Sequence, residues 1–190
     1  MKKEDIISLP DSRLRQRSVR VNIATPDILK LVSDMTSVAL DWEDSRPHEI
    51  SAALSAVQIG QLKRVVIVRS DLDDKAVREF TALLNPEIVK YDGEVTKDYE
   101  GCLSVPGVYG KVPRYDKIRV KALDIDGNEV RFKADGFLAR VIQHEVDHTN
   151  GIVFIDHIRD EQDAFYTLDQ EGELQPLDYA KVKDNSILWD

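Results

Sequence analysis

The stretch "VIQHEVDHTNG" at residues 141–151 constrains the fold more than any other segment, because it places two histidines four positions apart within a helical pattern. Asp135 can cap a helix that runs from residue 136 to about residue 149. Asn150 and Gly151 are residues that commonly end a helix. The sequence therefore predicts a capped helix across this segment.

The faces of this helix differ in polarity. One face carries Phe137, Val141, His144 and His148, a second carries Leu138, Ile142 and Val146, and a polar stripe consists of Arg140, Gln143 and Asp147. A helix with two apolar faces is buried, so we expect both histidines to point inward. Side chains at i and i+4 reach one metal ion, and Glu145 lies at the edge of the same site. An accidental match would leave two buried histidines that each need another partner, so the pattern favours a metal site.

The histidine spacing alone leaves the class of metal site open, because zinc peptidases and other hydrolases share it. A catalytic zinc site usually has three protein ligands and a position for water. In metzincin peptidases a glycine and then a third histidine follow; Gly151 matches the glycine, but Phe154 occupies the histidine position, which excludes that class. A metallopeptidase with a downstream glutamate ligand remains an alternative. Its candidate ligands, in a polar acidic stretch, are Glu161, Glu171 and Glu173.

The single cysteine of the chain, Cys102, is the other candidate for a third ligand. It has no disulfide partner within the chain, which agrees with a reducing compartment. It lies in "YEGCLSVPG", where Gly101 permits a close backbone approach and Leu103 and Val105 suit a buried strand. A thiolate is a strong ligand for Zn²⁺ and Fe²⁺, and one cysteine with two histidines leaves a fourth tetrahedral position open.

The remaining patterns predict an α+β fold with mostly antiparallel β-sheets around the buried central helix that carries the His-Glu-x-x-His motif. The 190 residues suffice for one domain with its own core. The other predicted elements are a helix over 26–42 capped by Thr25, a buried strand over 65–68, two strands in 80–94 separated at Asn85-Pro86, and a hairpin in 117–135 that turns at Asp126-Gly127.

Acidic residues are concentrated near the C-terminal end. Residues 156–190 contain ten acidic and three basic side chains, and the whole chain has a net charge of −9. We expect a single domain over residues 1–158 and an acidic, solvated tail over residues 159–190. Such a tail argues against binding of a nucleic-acid phosphate backbone at that end.

The N-terminal residues are too polar for a signal peptide, and no apolar run approaches the length of a membrane span. We therefore expect a cytoplasmic protein that does not associate with membranes. The patterns do not indicate an oligomeric state.

Three segments together resemble the motifs of peptide deformylases: "SAALSAVQ" at 51–58, "EGCLS" at 100–104 and "QHEVDH" at 143–148. The likeness covers roughly residues 5–158 and extends to "LPDSRLR" at 9–15, Asn85-Pro86 and "VPR" at 112–114. The resemblance implies an enzyme that removes the N-formyl group from N-terminal formylmethionine of nascent polypeptides at the ribosome and releases formate. It implies Cys102, His144 and His148 as the metal ligands.

The resemblance also implies roles for other residues. Glu145 would be the general acid/base, and Gln58 and the backbone N–H of Leu103 would stabilise the oxyanion. The implied nucleophile is water on the metal, whose pKa coordination lowers to about 7. The implied cofactor is one divalent ion, Fe²⁺ by family preference, although the ligands also accommodate Zn²⁺, Ni²⁺ or Co²⁺. The expected substrate-binding residues are Ala53, Phe137, Val141 and Glu100.

The first motif departs from the family pattern, which is Gly-x-Gly-x-Ala-Ala-x-Gln. Ser51 and Ala53 replace the two glycines and add atoms at the rim of the substrate path, and Ala53 would be strained at positive φ. We expect altered substrate fit with retained chemistry, because Gln58 and the metal-site residues are present. A non-catalytic, deformylase-like binding protein is a second alternative.

Overall fold

The computed structural model describes residues 1–22, 25–46, 49–74 and 76–189. Its α-helices are α1 (Pro26–Asp44), α2 (Gly136–Thr149), α3 (Tyr179–Lys183) and α4 (Ser186–Trp189). Its strands are β1 (Ala53–Ser55), β2 (Val65–Arg69), β3 (Phe80–Gly101), β4 (Tyr109–Leu123), β5 (Glu129–Asp135), β6 (Phe165–Leu168) and β7 (Leu174–Pro176). Short 3₁₀ helices are found at Lys3–Asp5, Ser12–Arg15, Ala56–Ile59 and Phe154–Ile158.

The seven strands form a sheet in the order β1-β2-β3-β4-β6-β7, with β5 paired to β4. Each of these strand pairs is antiparallel. Outside the strands, Val19 and Lys63 form an isolated parallel bridge. The prediction of an α+β fold with a mostly antiparallel sheet is confirmed.

Strands β3 and β4 form the long central ribbon of the sheet. The sequence predicted two strands separated at Asn85-Pro86, but β3 continues from Phe80 to Gly101, so that prediction is wrong. The register shifts between Leu84 and Glu87, and Asn85 has a φ of 51°. Its side chain accepts from Val21 N–H at 2.8 Å and donates to Val21 C=O at 2.6 Å. The Asn-Pro pair therefore marks a β-bulge, which bends a strand without ending it.

Helix α1 forms because its apolar residues recur with helical spacing behind a good cap. Thr25 accepts a hydrogen bond from Ile28 N–H, and Pro26 occupies the first turn, where its missing N–H costs nothing. The helix covers the predicted range and extends to Asp44. Its buried face consists of Ile28, Leu31, Met35, Val38 and Ala39, which pack in one apolar cluster with residues of β1 and β2.

Helix α2 begins and ends where the sequence predicted, although the Asp135 side chain makes no capping hydrogen bond. The predicted polar stripe is largely buried: Arg140 and Gln143 are 5% and 4% exposed. Arg140 donates to Val112 C=O at 2.8 Å, and Gln143 donates to Tyr115 C=O at 2.8 Å. These bonds satisfy carbonyl groups of β4 and attach α2 to the sheet, so the helix is buried on its polar side as well.

The C-terminal segment is folded onto the rest of the chain. Strand β6 pairs with β4, and Phe165, Val182 and Leu188 are buried in a cluster that also contains Leu14 and Phe154. These three side chains therefore do not belong to a solvated tail, although most acidic residues of the segment are exposed. The boundary at residue 158 stays a prediction.

Within the described residues, no helix combines the length and apolarity that a membrane crossing requires.

Candidate active site

The three predicted metal ligands lie together beneath one cavity. Cys102 directly follows β3, whereas His144 and His148 lie on α2 one turn apart. One ligand atom from each residue lies within 4.8 Å of the others, and the Cys102 Sγ to His148 Nε2 distance is 3.2 Å. The two imidazole rings are 4.9 Å apart in an edge-on arrangement. The fold thus brings a thiol from the sheet to two imidazoles of the helix.

This geometry suits a tetrahedral divalent metal. Metal–sulfur bonds of about 2.3 Å and metal–nitrogen bonds of about 2.0–2.1 Å place ligand atoms roughly 3.5 Å apart, which the observed spacing approaches. Both histidines are buried, and Cys102 is partly buried. The donor set of one sulfur and two nitrogens suits Fe²⁺ and Zn²⁺ better than Mg²⁺ or Ca²⁺.

Glu100 orients His144. The His144 Nδ1 atom lies 2.9 Å from Glu100 Oε2, and Arg114 and Arg140 donate to the same carboxylate at 2.9 Å and 2.8 Å. Because two arginines keep the carboxylate ionised, it accepts the Nδ1 proton, and Nε2 presents its lone pair to the cluster. Glu100 is 6% exposed and its contacts are with protein groups, including one predicted metal ligand.

The electrostatics of the cluster favour a cation. Burial raises the pKa of the Cys102 thiol, but His148 and His144 more than offset this and lower it to about 6. Burial lowers the pKa of His144, but Cys102 and Glu100 raise it well above its usual value. Burial raises the pKa of Glu100, but hydrogen bonds from His144 and Arg114 hold it well below its usual range. The negative groups that stabilise a proton on His144 would also stabilise a metal ion.

Glu145, the predicted acid/base, lines the cavity and is 4% exposed. Its carboxylate Oε2 accepts a hydrogen bond from Ser55 Oγ at 2.7 Å. Ser55 was not among the predicted site residues. The signal was nevertheless present, because this serine occupies a position where the family pattern has alanine.

Gln58 is buried, which excludes a surface glutamine. It lies in the 3₁₀ helix Ala56–Ile59, where its Oε1 accepts from Ser55 N–H at 2.8 Å. The amide nitrogen consequently faces the cluster, 3.5 Å from Cys102 Sγ and 3.4 Å from Ser104 Oγ. A neutral donor is thus held beside the predicted metal position.

The other predicted site residues line the same cavity. They are Ala53 from β1, Leu103 after Cys102, Glu100 from β3, and Phe137 and Val141 from α2. Phe137 is half exposed and Val141 is buried. The cavity also has polar and aromatic lining residues, which include Trp42, Arg46, Glu49, Tyr99 and Tyr109. Of these, Tyr109 donates a hydrogen bond to Glu49.

The two substituted glycine positions of the first motif differ in their surroundings. Asn85 is the one non-glycine residue with positive φ among the described residues, so neither Ser51 nor Ala53 is strained. Ser51 is fully buried and is absent from the cavity lining, contrary to the expectation that it adds atoms at the rim. Its N–H donates to Glu43 Oε2 at 2.9 Å. Only Ala53 places its side chain at the cavity.

The downstream glutamates of the metallopeptidase alternative do not join the cluster. Among the described residues, the group of side chains suited to holding a metal consists of Cys102, His144 and His148. Glu161 forms an ion pair with Lys97, and Glu171 and Glu173 are exposed. The geometry therefore supports cysteine as the third ligand.

The family described as polypeptide deformylase matches residues 3–164 of the chain. The chain belongs to this family. The predicted family membership is confirmed, and with it an enzyme of the hydrolase class. The peptide deformylase of Thermomicrobium roseum is 43% identical over 173 residues, which cover 88% of this chain and 93% of that relative.

Solved structures of peptide deformylases share the fold. The enzyme from Ehrlichia chaffeensis, in complex with actinonin, matches with a TM-score of 0.71 and 37% identity over 80% of this chain and 86% of that chain. A class I type b peptide deformylase from Acinetobacter baumannii, with Met-Ala-Ser bound, matches with a TM-score of 0.71 and 30% identity over 80% of this chain and 96% of that chain. The curated relatives are named peptide deformylase, and the buried cluster of Cys102, His144 and His148 could hold a metal ion.

Proposed function

We propose that this chain hydrolyses the formyl amide of N-formylmethionyl peptides and releases formate. The observation that carries the proposal is the buried cluster of Cys102, His144 and His148 beside Glu145, at a cavity that Cys102, His144 and Glu145 line. Family membership supports the same reaction. The expected substrates in the cell are nascent chains at the ribosome, and strong direct binding to nucleic acid is not expected.

Cys102, His144 and His148 would hold one divalent ion. When bound, the ion would polarise the formyl carbonyl and lower the pKa of a water molecule to about 7. We propose Fe²⁺ as the ion in the cell, while the same ligands accommodate Zn²⁺, Ni²⁺ or Co²⁺. Glu100 supports this site by fixing the ring of His144, and we propose that role for it in addition to the predicted contact with substrate.

Glu145 would move the proton. Its carboxylate takes a proton from the attacking water, whose oxygen bonds to the formyl carbon. As the carbon–nitrogen bond breaks, Glu145 delivers that proton to the leaving amine, which becomes the new N-terminus. Gln58 Nε2 and the N–H of Leu103 donate to the oxygen that becomes negative, and each such donor contributes about 3–4 kcal/mol in comparable sites. The Gln58 geometry supports its role, since its oxygen is engaged by Ser55 N–H.

The substrate peptide would lie along β1. This strand is at one end of the sheet and pairs only with β2 among the described strands, while Ala53 on it faces the cavity. An extended peptide can add to such an edge through backbone hydrogen bonds. Phe137 and Val141 would form walls of the pocket for the methionine side chain, because both line the cavity on the α2 side.

We also propose that residues 1–158 supply the catalytic machinery and that the following residues support it by packing. The metal-binding group and the cavity lining all lie before residue 159. The cytoplasm is the proposed location, because nascent formylated chains arise there.

Formate release from formyl-Met-Ala-Ser by the metal-loaded protein tests this function. We expect release by the parent protein and a loss of roughly 10²–10⁴-fold for Glu145→Ala, in line with the usual contribution of a general acid or base. Glu161→Ala is the matched control and should retain activity. Loss in Glu161→Ala, or cleavage of peptide bonds in unformylated Met-Ala-Ser, would support the metallopeptidase alternative. Metal binding without any hydrolysis would support the non-catalytic alternative.

A further inference from the structure

We propose that Ser55 is a positioning residue that holds the Glu145 carboxylate in the orientation needed for proton transfer. The inference rests on the proposed function of Glu145 as acid/base. Ser55 Oγ lies 2.7 Å from Glu145 Oε2 and 3.0 Å from the backbone oxygen of Glu145. The two residues are 90 positions apart, so the contact depends on β1 packing against α2.

The direction of the hydrogen bond follows from the chemistry of the two groups. The backbone oxygen and the ionised carboxylate of Glu145 are acceptors, so Ser55 is the donor, and its single proton is shared between them with the shorter contact to Oε2. Ser55 is fully buried and Glu145 is 4% exposed, which leaves little room for water to take over the bond. Among the described residues, Ser55 is the one hydrogen-bond partner of the carboxylate. The bond therefore anchors Oε2, while Oε1 has no hydrogen-bond partner among the described residues.

Ser55 is itself held firmly. In β1 it pairs with Val66 of β2, and its neighbours Leu54 and Ala56 are fully buried in an apolar cluster. Its N–H donates to Gln58 Oε1 at 2.8 Å. One residue thus orients two groups of the proposed reaction, Glu145 through its side chain and Gln58 through its backbone.

The side-chain contact distinguishes this chain from the family pattern, in which alanine occupies the position of Ser55. Alanine would keep the backbone bond to Gln58 but would leave Oε2 of Glu145 without a donor. A carboxylate with one fixed oxygen loses less rotational freedom when it reaches the geometry for proton transfer, and that preorganisation contributes to rate. The hydroxyl should therefore affect kcat more than KM.

The test compares Ser55→Ala with Ser51→Ala. Ser51 is a matched control because it is also fully buried, its hydroxyl has no hydrogen-bond partner among the described residues, and it does not line the cavity. With formyl-Met-Ala-Ser and measured metal content, we expect Ser55→Ala to lose about tenfold in kcat, the size of one hydrogen bond to a charged group. KM and metal content should change less than twofold, and Ser51→Ala should retain the parent kcat.

A double-mutant cycle separates positioning from a structural effect. If Ser55 acts through Glu145, then Ser55→Ala should cause no further loss in a Glu145→Ala background, measured at high enzyme concentration. An equal loss in both backgrounds would overturn the proposal, as would a kcat for Ser55→Ala within twofold of the parent.

A crystallographic comparison tests the contact without relying on activity. Structures of the metal-loaded parent and of Ser55→Ala should show the carboxylate bonded to Ser55 in the parent and rotated or displaced in the variant. An unchanged Glu145 side chain in the variant would overturn the proposal, even if the parent hydrolysed no formyl-peptide. Absence of formate release by the parent would instead contradict the proposed function, so the two failures are distinguishable.

Discussion

Helix α2 and residues 51–58 both line the cavity, but different interactions hold them in place. The helix is anchored through charged side chains: Glu100 accepts from Arg114 and Arg140 while it also contacts His144. Residues 51–58 are anchored mainly through backbone groups, since β1 pairs with β2 and Ser51 N–H donates to Glu43 Oε2. The first region matches the family motifs, whereas the second departs from them. Backbone anchoring tolerates side-chain replacement, which explains how Ser51 and Ala53 fit without strain.

The largest effect should come from removing the thiol. Cys102→Ala deletes the proposed ligand that follows β3, so we expect metal content to fall to near zero and formate release to be lost with it. Elemental analysis after purification and an activity assay at saturating metal check this outcome. Retention of stoichiometric metal in the variant would contradict the assignment of Cys102 as a ligand.

The next largest effect should come from Glu100, whose carboxylate accepts from Arg114 and Arg140 and so attaches α2 to the sheet. Glu100→Ala leaves two buried arginines without their shared carboxylate, and loss of one partner from a buried ion pair costs about 3–5 kcal/mol. We expect a loss of that size in the free energy of unfolding, measured by urea denaturation. Glu129→Ala, which removes an exposed carboxylate paired with Lys121 and Arg131, is the control and should cost at most about 1 kcal/mol. Equal effects would contradict the view that the buried network anchors α2.

A smaller, pH-dependent effect on stability is expected at Glu43, the residue of α1 that accepts from the first residue of the first motif, Ser51. Burial raises the pKa of Glu43, but hydrogen bonds from Arg69 and Ser51 N–H outweigh this and lower it below its ordinary value. A carboxyl with a lowered folded-state pKa stabilises the protein above its unfolded pKa, and this stabilisation is lost as pH falls through the folded value. Glu43→Gln should therefore cost about 1 kcal/mol at pH 7, and the difference from the parent should shrink below about pH 4. Urea denaturation across pH 3–7 measures the difference in the free energy of unfolding. A difference that stays constant over this range would refute a contribution from the lowered pKa of Glu43.

The smallest expected change in stability is that of Ser51→Ala, and whether it is a gain or a loss is informative. The Ser51 hydroxyl is fully buried and has no hydrogen-bond partner among the described residues. Ser51→Ala should leave stability unchanged or raise it by up to about 1 kcal/mol, since it removes a buried unsatisfied polar group. Thermal denaturation checks the direction. A clear loss of stability would mean that the hydroxyl has a partner such as an ordered water molecule.

Local patterns predicted the two long helices α1 and α2 well, whereas the short helices α3 and α4 were not predicted. Thr25-Pro26 located the start of α1, and Asn150-Gly151 located the end of α2, because caps and helical periodicity depend on neighbouring residues. Asn85-Pro86 was interpreted as a break between strands, although β3 continues through it as a bulge. Pairing with β2 and β4 maintains β3 across these two residues. A local sequence pattern does not indicate which strands will be neighbours in the sheet.

The sequence by itself determined the pair of histidines on one helical face and the glutamate between them that we propose as acid/base, because a spacing of four residues is a property of the helix. With the family motifs it also predicted roles for Cys102 and Gln58. Only the tertiary structure decided that Glu100 contacts His144, that the polar stripe of α2 is buried against β4, and that Ser55 contacts Glu145. These contacts join residues tens of positions apart, so they depend on how the sheet packs against the helix and not on any local pattern.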